Sequence, residues 1–252
     1  LAPLIEQGVI DAVLRPLQSG KEAQVYLVDV QGWTCVAKVY KEAEQRSFKH
    51  RAEYGEGRKV RNTRDARAMA KRTKYGREQV EEAWRNAEVE AIYKLREAGV
   101  RVPEPYAFVD GVLGMELVAN EAGEPAPRLI DLDFDEDLAL RVFNHLLAEI
   151  IRMLLAGVIH GDLSDFNVLM APDGPVIIDF PQWSDPAISQ AARKLLVRDV
   201  ENVTAFLARH APALEGLSFG EEMWALYESG DLSQDSLLTG KWTGPKRSAN
   251  VS

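Results

Sequence analysis

The chain has 252 residues, 46% apolar and 27% charged, which is the balance of an ordinary globular protein. At roughly 150 residues per domain this means one or two domains, and it excludes collagenous, low-complexity and disordered classes for most of the length. The longest apolar stretch, 138–159, is broken by Arg141, Asn144, His145, Glu149 and Arg152, so it reads as a core helix and not a membrane span. No secretory leader is recognisable near Leu1. Cys35 is the single cysteine, which rules out an internal disulfide and makes a reducing cytoplasm the expected setting. Net charge is −9 but unevenly placed: 46–77 carries twelve Lys/Arg against three acids, a local +9, leaving −18 elsewhere. An acidic body with a basic, mobile insert is expected, and such an insert suits phosphates, RNA among them.

Ala23–Val30 and Trp33–Tyr40 are β-branched and aromatic runs joined by Gln31-Gly32, a two-residue hairpin signal. From Glu78 to Ala98 the period turns helical, with Val80, Trp84, Ile92 and Leu95 on one stripe and Gly99 as the stop. Val102-Pro103-Glu104-Pro105 forces an extended connection. Short strands follow at Ala107–Val109 and Val112–Leu117, around Asp110-Gly111. Gly123, Pro125 and Pro127 mark a hinge over 119–127. Phe143, Leu146, Leu147, Ile150, Ile151 and Leu154 then keep helical spacing until Gly157. Val176–Ile178 reads as a buried strand, and a second long helix is expected over roughly Ile188–Arg209. Residues 241–252 lack periodicity and read as a disordered tail. Lobes of 1–118 and 119–240 are the resulting division.

The segment from His160 to Leu169 carries the chemistry. Asp162 and Asn167 stand five residues apart, and a short apolar run later ends in Ile178-Asp179-Phe180. This spacing is the phosphoryl-transfer arrangement of kinase-like folds. An aspartate there accepts a hydrogen bond from the attacking hydroxyl, while Asn167 and Asp179 offer hard oxygens to Mg²⁺. Upstream, Val36-Ala37-Lys38-Val39 sets a lysine in a buried-looking strand. Glu88 shares the apolar helix stripe with Trp84 and Leu95, whereas Glu90 turns to solvent. A carboxylate on a buried stripe needs a cation, and Lys38 is the candidate. Ser19-Gly20-Lys21-Glu22-Ala23-Gln24-Val25-Tyr26, with one glycine where three are usual, precedes the Lys38 hairpin as the phosphate-covering loop.

Taken together these residues resemble the RIO kinases, atypical serine protein kinases. The resemblance rests on Ser19–Ala23, Val36–Lys38, Trp84 with Glu88, Pro103–Pro105, Met115–Val118, Pro125–Pro127, His160–Asn167 and Ile178–Gln182, and it spans about 10–210. No winged-helix segment precedes it, so the sequence looks like the subgroup lacking that domain. The resemblance implies a two-lobed, protein-kinase-like α+β fold, with a small antiparallel-sheet lobe carrying one long helix and a mostly helical second lobe. It implies ATP and Mg²⁺, or Mn²⁺ in its place, as cofactors. By the same resemblance Asp162 is the catalytic base, Lys38 binds the α- or β-phosphate, and Asn167 and Asp179 hold the metal. Ser19, Gly20 and Lys21 cover the phosphates, Val25 and Glu88 belong to the nucleotide site, and Glu116 and Val118 hold adenine by their backbone beyond Met115. In some family members the aspartate matching Asp179 is itself phosphorylated, which implies an ATPase-like cycle.

Gly161 stands where ordinary protein kinases have an arginine, and only about eight residues separate Asp179 from the next helix. Switching by activation-loop phosphorylation is therefore not expected. The expected activity is a serine/threonine protein kinase with the chain itself as a substrate. Two alternatives stand beside it: a small-molecule phosphotransferase of the aminoglycoside kind, or an ATP-gated ribosome or RNP assembly factor using 46–77. No membrane partner is expected.

Overall fold

The computed structural model describes residues 1–20, 23–40, 87–109 and 111–242. Lys21, Val80, Trp84, Asp110, the basic stretch 46–77 and the tail from 243 onward lie outside the described residues.

A short helix, α1 (Ala2–Glu6), precedes three strands in a meander: β1 (Ala12–Ser19), β2 (Ala23–Val30) and β3 (Trp33–Tyr40). The β2 and β3 bounds are the expected ones. Gln31 (φ 55°) and Gly32 (φ 81°) both take the left-handed conformation, so the two-residue turn follows the twist of its strands and pairs Val30 with Trp33. β4 (Pro105–Val109) and β5 (Val112–Glu116) complete an antiparallel sheet in the order β1-β2-β3-β5-β4. Between β3 and β4 runs a helix described over 87–97, here α2.

Alternation on β3 decides what faces where. Ala37 points to the outer face, where Leu4 of α1 and Ile10 cover Val28, Ala37 and Val112. Val36 and Lys38 point to the inner face and line a cleft.

The second lobe is built on α3 (Glu136–Leu155), which Asp135 caps by accepting the Leu138 N–H at 2.7 Å. All six apolar residues expected on its stripe are buried, each contributing about 1.5–3 kcal/mol relative to exposure. β6 (Val168–Ala171) and β7 (Gly174–Ile177) form a hairpin, followed by α4 (Ala192–Ala208) and α5 (Phe219–Ser229). An antiparallel-sheet lobe and a helical lobe are thus both present, the expected α+β architecture.

Several local expectations need correction. α1, β1, β6 and α5 are not anticipated by the periodicity. β1 is an exposed edge strand with two register shifts and Pro16 within it, so it has no apolar alternation to read. β4 begins at Pro105 and β5 ends at Glu116, while the strand expected at Val176–Ile178 is Gly174–Ile177. The second long helix starts four residues late, at Ala192. Asp185 instead closes a turn before it, accepting the Ala187 N–H on its side chain (2.8 Å) and the Ser189 N–H on its carbonyl (3.0 Å).

Candidate active site

The cleft between the sheet and the helical lobe has a volume of about 230 Å³. Val25 and Val36 line one side, Leu169 and Ile178 another, and Met115 to Val118 the connecting edge. Of the residues expected at a nucleotide site, Val25, Lys38, Glu88, Met115, Glu116, Val118 and Asp179 line this cleft. Asp162 and Asn167 stand on the His160–Leu169 segment, outside that lining. Ser19 ends β1 and pairs with Gln24, and Gln24 pairs with Val39, so this end of β1 lies at the same end of the sheet as Lys38. Gly20, just past β1, donates its N–H to the Ala23 carbonyl at 2.9 Å.

Lys38 is the charged centre. Its Nζ lies 2.6 Å from Glu88 Oε1 and also contacts Asp179 Oδ1. Burial alone would push this ammonium down, but Asp179 and Glu88 together hold it well above the usual lysine value. Lys38 reciprocally holds the Asp179 carboxyl below the ordinary range, against the opposing effect of burial. Glu88 also accepts the Tyr40 hydroxyl at 2.6 Å and the Phe180 N–H at 3.3 Å. Three donors on a carboxylate only 1% exposed explain why it can stay buried. Glu90, on the other side of α2, is exposed as expected.

Asp162 is exposed, and its carbonyl accepts the Asn167 Nδ2–H at 2.8 Å. That contact fixes the Asn167 amide so that its Oδ1 is left for another partner. His160 is fully enclosed: Nε2 faces the Ile178 carbonyl at 3.0 Å, and Nδ1 faces the Asp162 N–H at 3.3 Å. A carbonyl can only accept and an amide N–H can only donate, which assigns the ring proton to Nε2. Burial lowers the His160 pKa, so the ring is neutral, and it packs on Phe180 with ring centres 4.8 Å apart.

Four further residues shape the site without having been anticipated. Asp199 of α4, 1% exposed, accepts the N–H groups of Gly161 (2.7 Å) and Leu163 (3.0 Å), pinning the loop on both sides of Asp162. Burial pushes its carboxyl up to about 7, although the two N–H groups pull the other way. The same signal that singles out Glu88, an acid on an apolar helix stripe with Leu195, Leu196 and Val203, would have found Asp199. Tyr40 sits two residues from Lys38 on the same strand face. Arg128 contacts Gln18 across the mouth of the cleft, and Trp183 donates its indole N–H to Ala87; neither has a local sequence signal.

The donor set suits a hard divalent cation. Asn167 Oδ1 and the partly exposed Asp179 carboxylate, 38% accessible, are two oxygens that could hold such an ion, and the Ile178 N–H donating to the Asn167 carbonyl at 3.0 Å ties their segments together. Among the described residues no cluster of three His, Cys, Asp or Glu could hold a metal alone. Two protein oxygens completed by phosphate and water is the way Mg²⁺ is usually bound.

A two-lobed domain with a paired lysine in its cleft and an Asp–Asn loop beside it has the architecture of protein-kinase-like phosphotransferases. Comparison with known proteins narrows the class. The RIO domain family model matches residues 24–218. The RIO-type serine/threonine-protein kinase Rio1 of Haloferax volcanii is 30% identical over 92% of this chain and 74% of its own length. The protein of the same name from Methanocaldococcus jannaschii is 31% identical over 77% of this chain and 62% of its own. Human serine/threonine-protein kinase RIO1 is 28% identical over 85% of this chain but only 36% of its own length. The chain belongs to the RIO domain family.

Proposed function

We propose that this protein is an ATP- and Mg²⁺-dependent serine/threonine protein kinase of RIO type. The observation that carries the reading is Lys38, buried between Glu88 and Asp179 at one end of an apolar cleft. A cation held in that way suits the anionic, non-bridging oxygens of a polyphosphate. The relatives' names point the same way.

The roles follow from placement. The Val118 N–H has no protein acceptor among the described residues and, with the Glu116 carbonyl, takes the adenine edge beyond Met115. Val25 covers one face of the base. Ser19, Gly20 and Lys21, at the β1–β2 turn, cover the phosphates, and Lys38 neutralises the α- or β-phosphate while Glu88 holds it in place. Asn167 and Asp179 would hold Mg²⁺, or Mn²⁺ in its place, which when bound would supply positive charge to offset that of the phosphates. Asp162 accepts the hydrogen bond of a substrate hydroxyl and directs its lone pair toward the γ-phosphorus. As the new O–P bond forms, the bond from the γ-phosphorus to the β,γ-bridging oxygen breaks, ADP leaves, and the hydroxyl proton passes to Asp162.

Residues 1–118 and 119–240 are assigned as the two lobes, with the hinge at 119–127. The first protein substrate is the chain itself, with Ser47, Thr63 and Thr73 in the basic stretch as acceptors. RNA or a ribosomal particle is the partner proposed for 46–77, whose charge fits phosphate. A cytoplasmic location accords with the single cysteine, and no helix among the described residues is long and apolar enough to cross a membrane.

The test is to follow the γ-phosphate of labelled Mg-ATP with the purified protein. Acid-stable label on serine or threonine supports the kinase reading. Label found only as inorganic phosphate supports an ATPase, and label found only on an aminoglycoside supports the small-molecule enzyme; either would replace it.

A further inference from the structure

The loop after Asp179 is short, yet it touches both halves of the site. On one side the Phe180 N–H reaches Glu88 Oε1 at 3.3 Å, and the Trp183 indole N–H donates to the Ala87 carbonyl at 2.7 Å. On the other, Ser184 and Ile159 exchange both backbone hydrogen bonds, at 2.8 and 2.9 Å. Gly161, at φ +82°, lies so close under this loop that a Cβ there would sit 2.6 Å from the Gln182 carbonyl oxygen. Loop 180–184 is therefore clamped between α2 and the segment that carries Asp162.

We propose that Trp183 is a positioning residue: its bond to the Ala87 carbonyl fixes the rotation of α2 so that Glu88 meets Lys38 with no phosphate on the loop. The proposal rests on the kinase reading above. Ala87 directly precedes Glu88, so holding its carbonyl holds the helix turn from which the Glu88 side chain projects. The bond is shielded, since Trp183 is 9% exposed, and a buried hydrogen bond is expensive to leave unmade. Lys94, two turns along α2, places its Nζ 5.9 Å from the centre of the Trp183 ring and 3.5 Å from the Gly157 carbonyl. The indole thus grips one face of α2 at two heights. A plain core residue would need the ring alone; the indole N–H aimed at a carbonyl beside Glu88 adds direction.

W183F keeps an aromatic ring and deletes the donor. Wild-type protein in the same assay establishes whether the kinase reading holds, so a failure of that reading is seen before any variant is compared. The expected result for W183F is a fall in kcat of about tenfold with KM for ATP within about twofold, because the hinge that holds adenine is untouched. In an E88Q background the same substitution adds little, since both act through Glu88. A W183F enzyme as fast as wild type, or a loss that multiplies fully with E88Q, overturns the proposal. Should W183F fold poorly, phosphatase-treated wild-type protein decides the matter. Retained kcat with slow amide exchange over 87–97 supports the lock, and fast exchange there refutes it.

Discussion

Lys38 Nζ and Glu88 Oε1 stand 2.6 Å apart although fifty residues separate them in the chain. Both side chains are almost wholly buried, so the pair is insulated from salt and solvent. Because each group acts through the other, K38M and E88Q are expected to lower kcat/KM by about 10²-fold or more, and K38M/E88Q to be little worse than either alone. A double variant that loses the product of the two single effects argues against a shared role. Stability separates them further. K38M strips the cation from both Glu88 and Asp179 and should cost about 3 kcal/mol in urea unfolding, whereas E88Q leaves Lys38 paired with Asp179 and costs less.

Asp162 and Asp179 should fail in different ways. Asp162 is exposed and does not line the nucleotide cleft, so D162A should abolish transfer and leave ATP affinity nearly intact. Asp179 lines the cleft and touches Lys38, so D179A should lose Mg²⁺-dependent nucleotide binding as well. Calorimetric titration with a non-hydrolysable ATP analogue, with and without Mg²⁺, measures the difference. Equal affinity losses in the two variants would exchange or merge their roles.

Asp199 gives a pH dependence of definite sign. Its folded pKa of about 7 lies above the unfolded value of 3.8, so between these two pH values the folded state holds a proton that the unfolded chain does not. This contribution to stability is present at acid pH and is lost as pH rises through about 7. D199N removes the titration and turns an amide NH₂ toward backbone donors. The stability gap between wild type and D199N should therefore be wider at pH 5.5 than at pH 8, by ~1–2 kcal/mol. A gap that narrows on acidification contradicts the raised pKa.

Arg101 and Glu116 supply the opposite sign. Burial pushes the Glu116 carboxyl up, but the bidentate Arg101 guanidinium (3.0 Å at both oxygens) and the Glu104 N–H outweigh it and hold it below its usual value. Its contribution is present above the unfolded pKa and disappears as pH falls through the lowered folded one. R101M should cost ~1 kcal/mol near neutrality, and that cost should shrink toward zero in acid. Chemical denaturation of both proteins between pH 7 and pH 3 checks this. A constant cost across the range would assign Arg101 a packing role instead.

By itself the sequence determined whatever depends on neighbours in the chain. The β2–β3 hairpin, the α3 stripe and the Asp–Asn loop follow from period and spacing, because a turn of two residues or a helix face is fixed within a few positions. The Lys38–Glu88 pair was legible too, for a less local reason: an acid on an apolar stripe demands a cation, and one strand lysine could meet it. Arg128 over Gln18, Tyr40 on Glu88 and Trp183 on Ala87 were decided only by tertiary structure. None of these contacts satisfies a need visible in its own segment, since an arginine, a tyrosine or a tryptophan can find partners in many folds. The edge strand β1 escaped for the converse reason. Its side chains are mostly exposed, so burial imposes no pattern on them, and its bounds are set by hydrogen bonding to β2 alone.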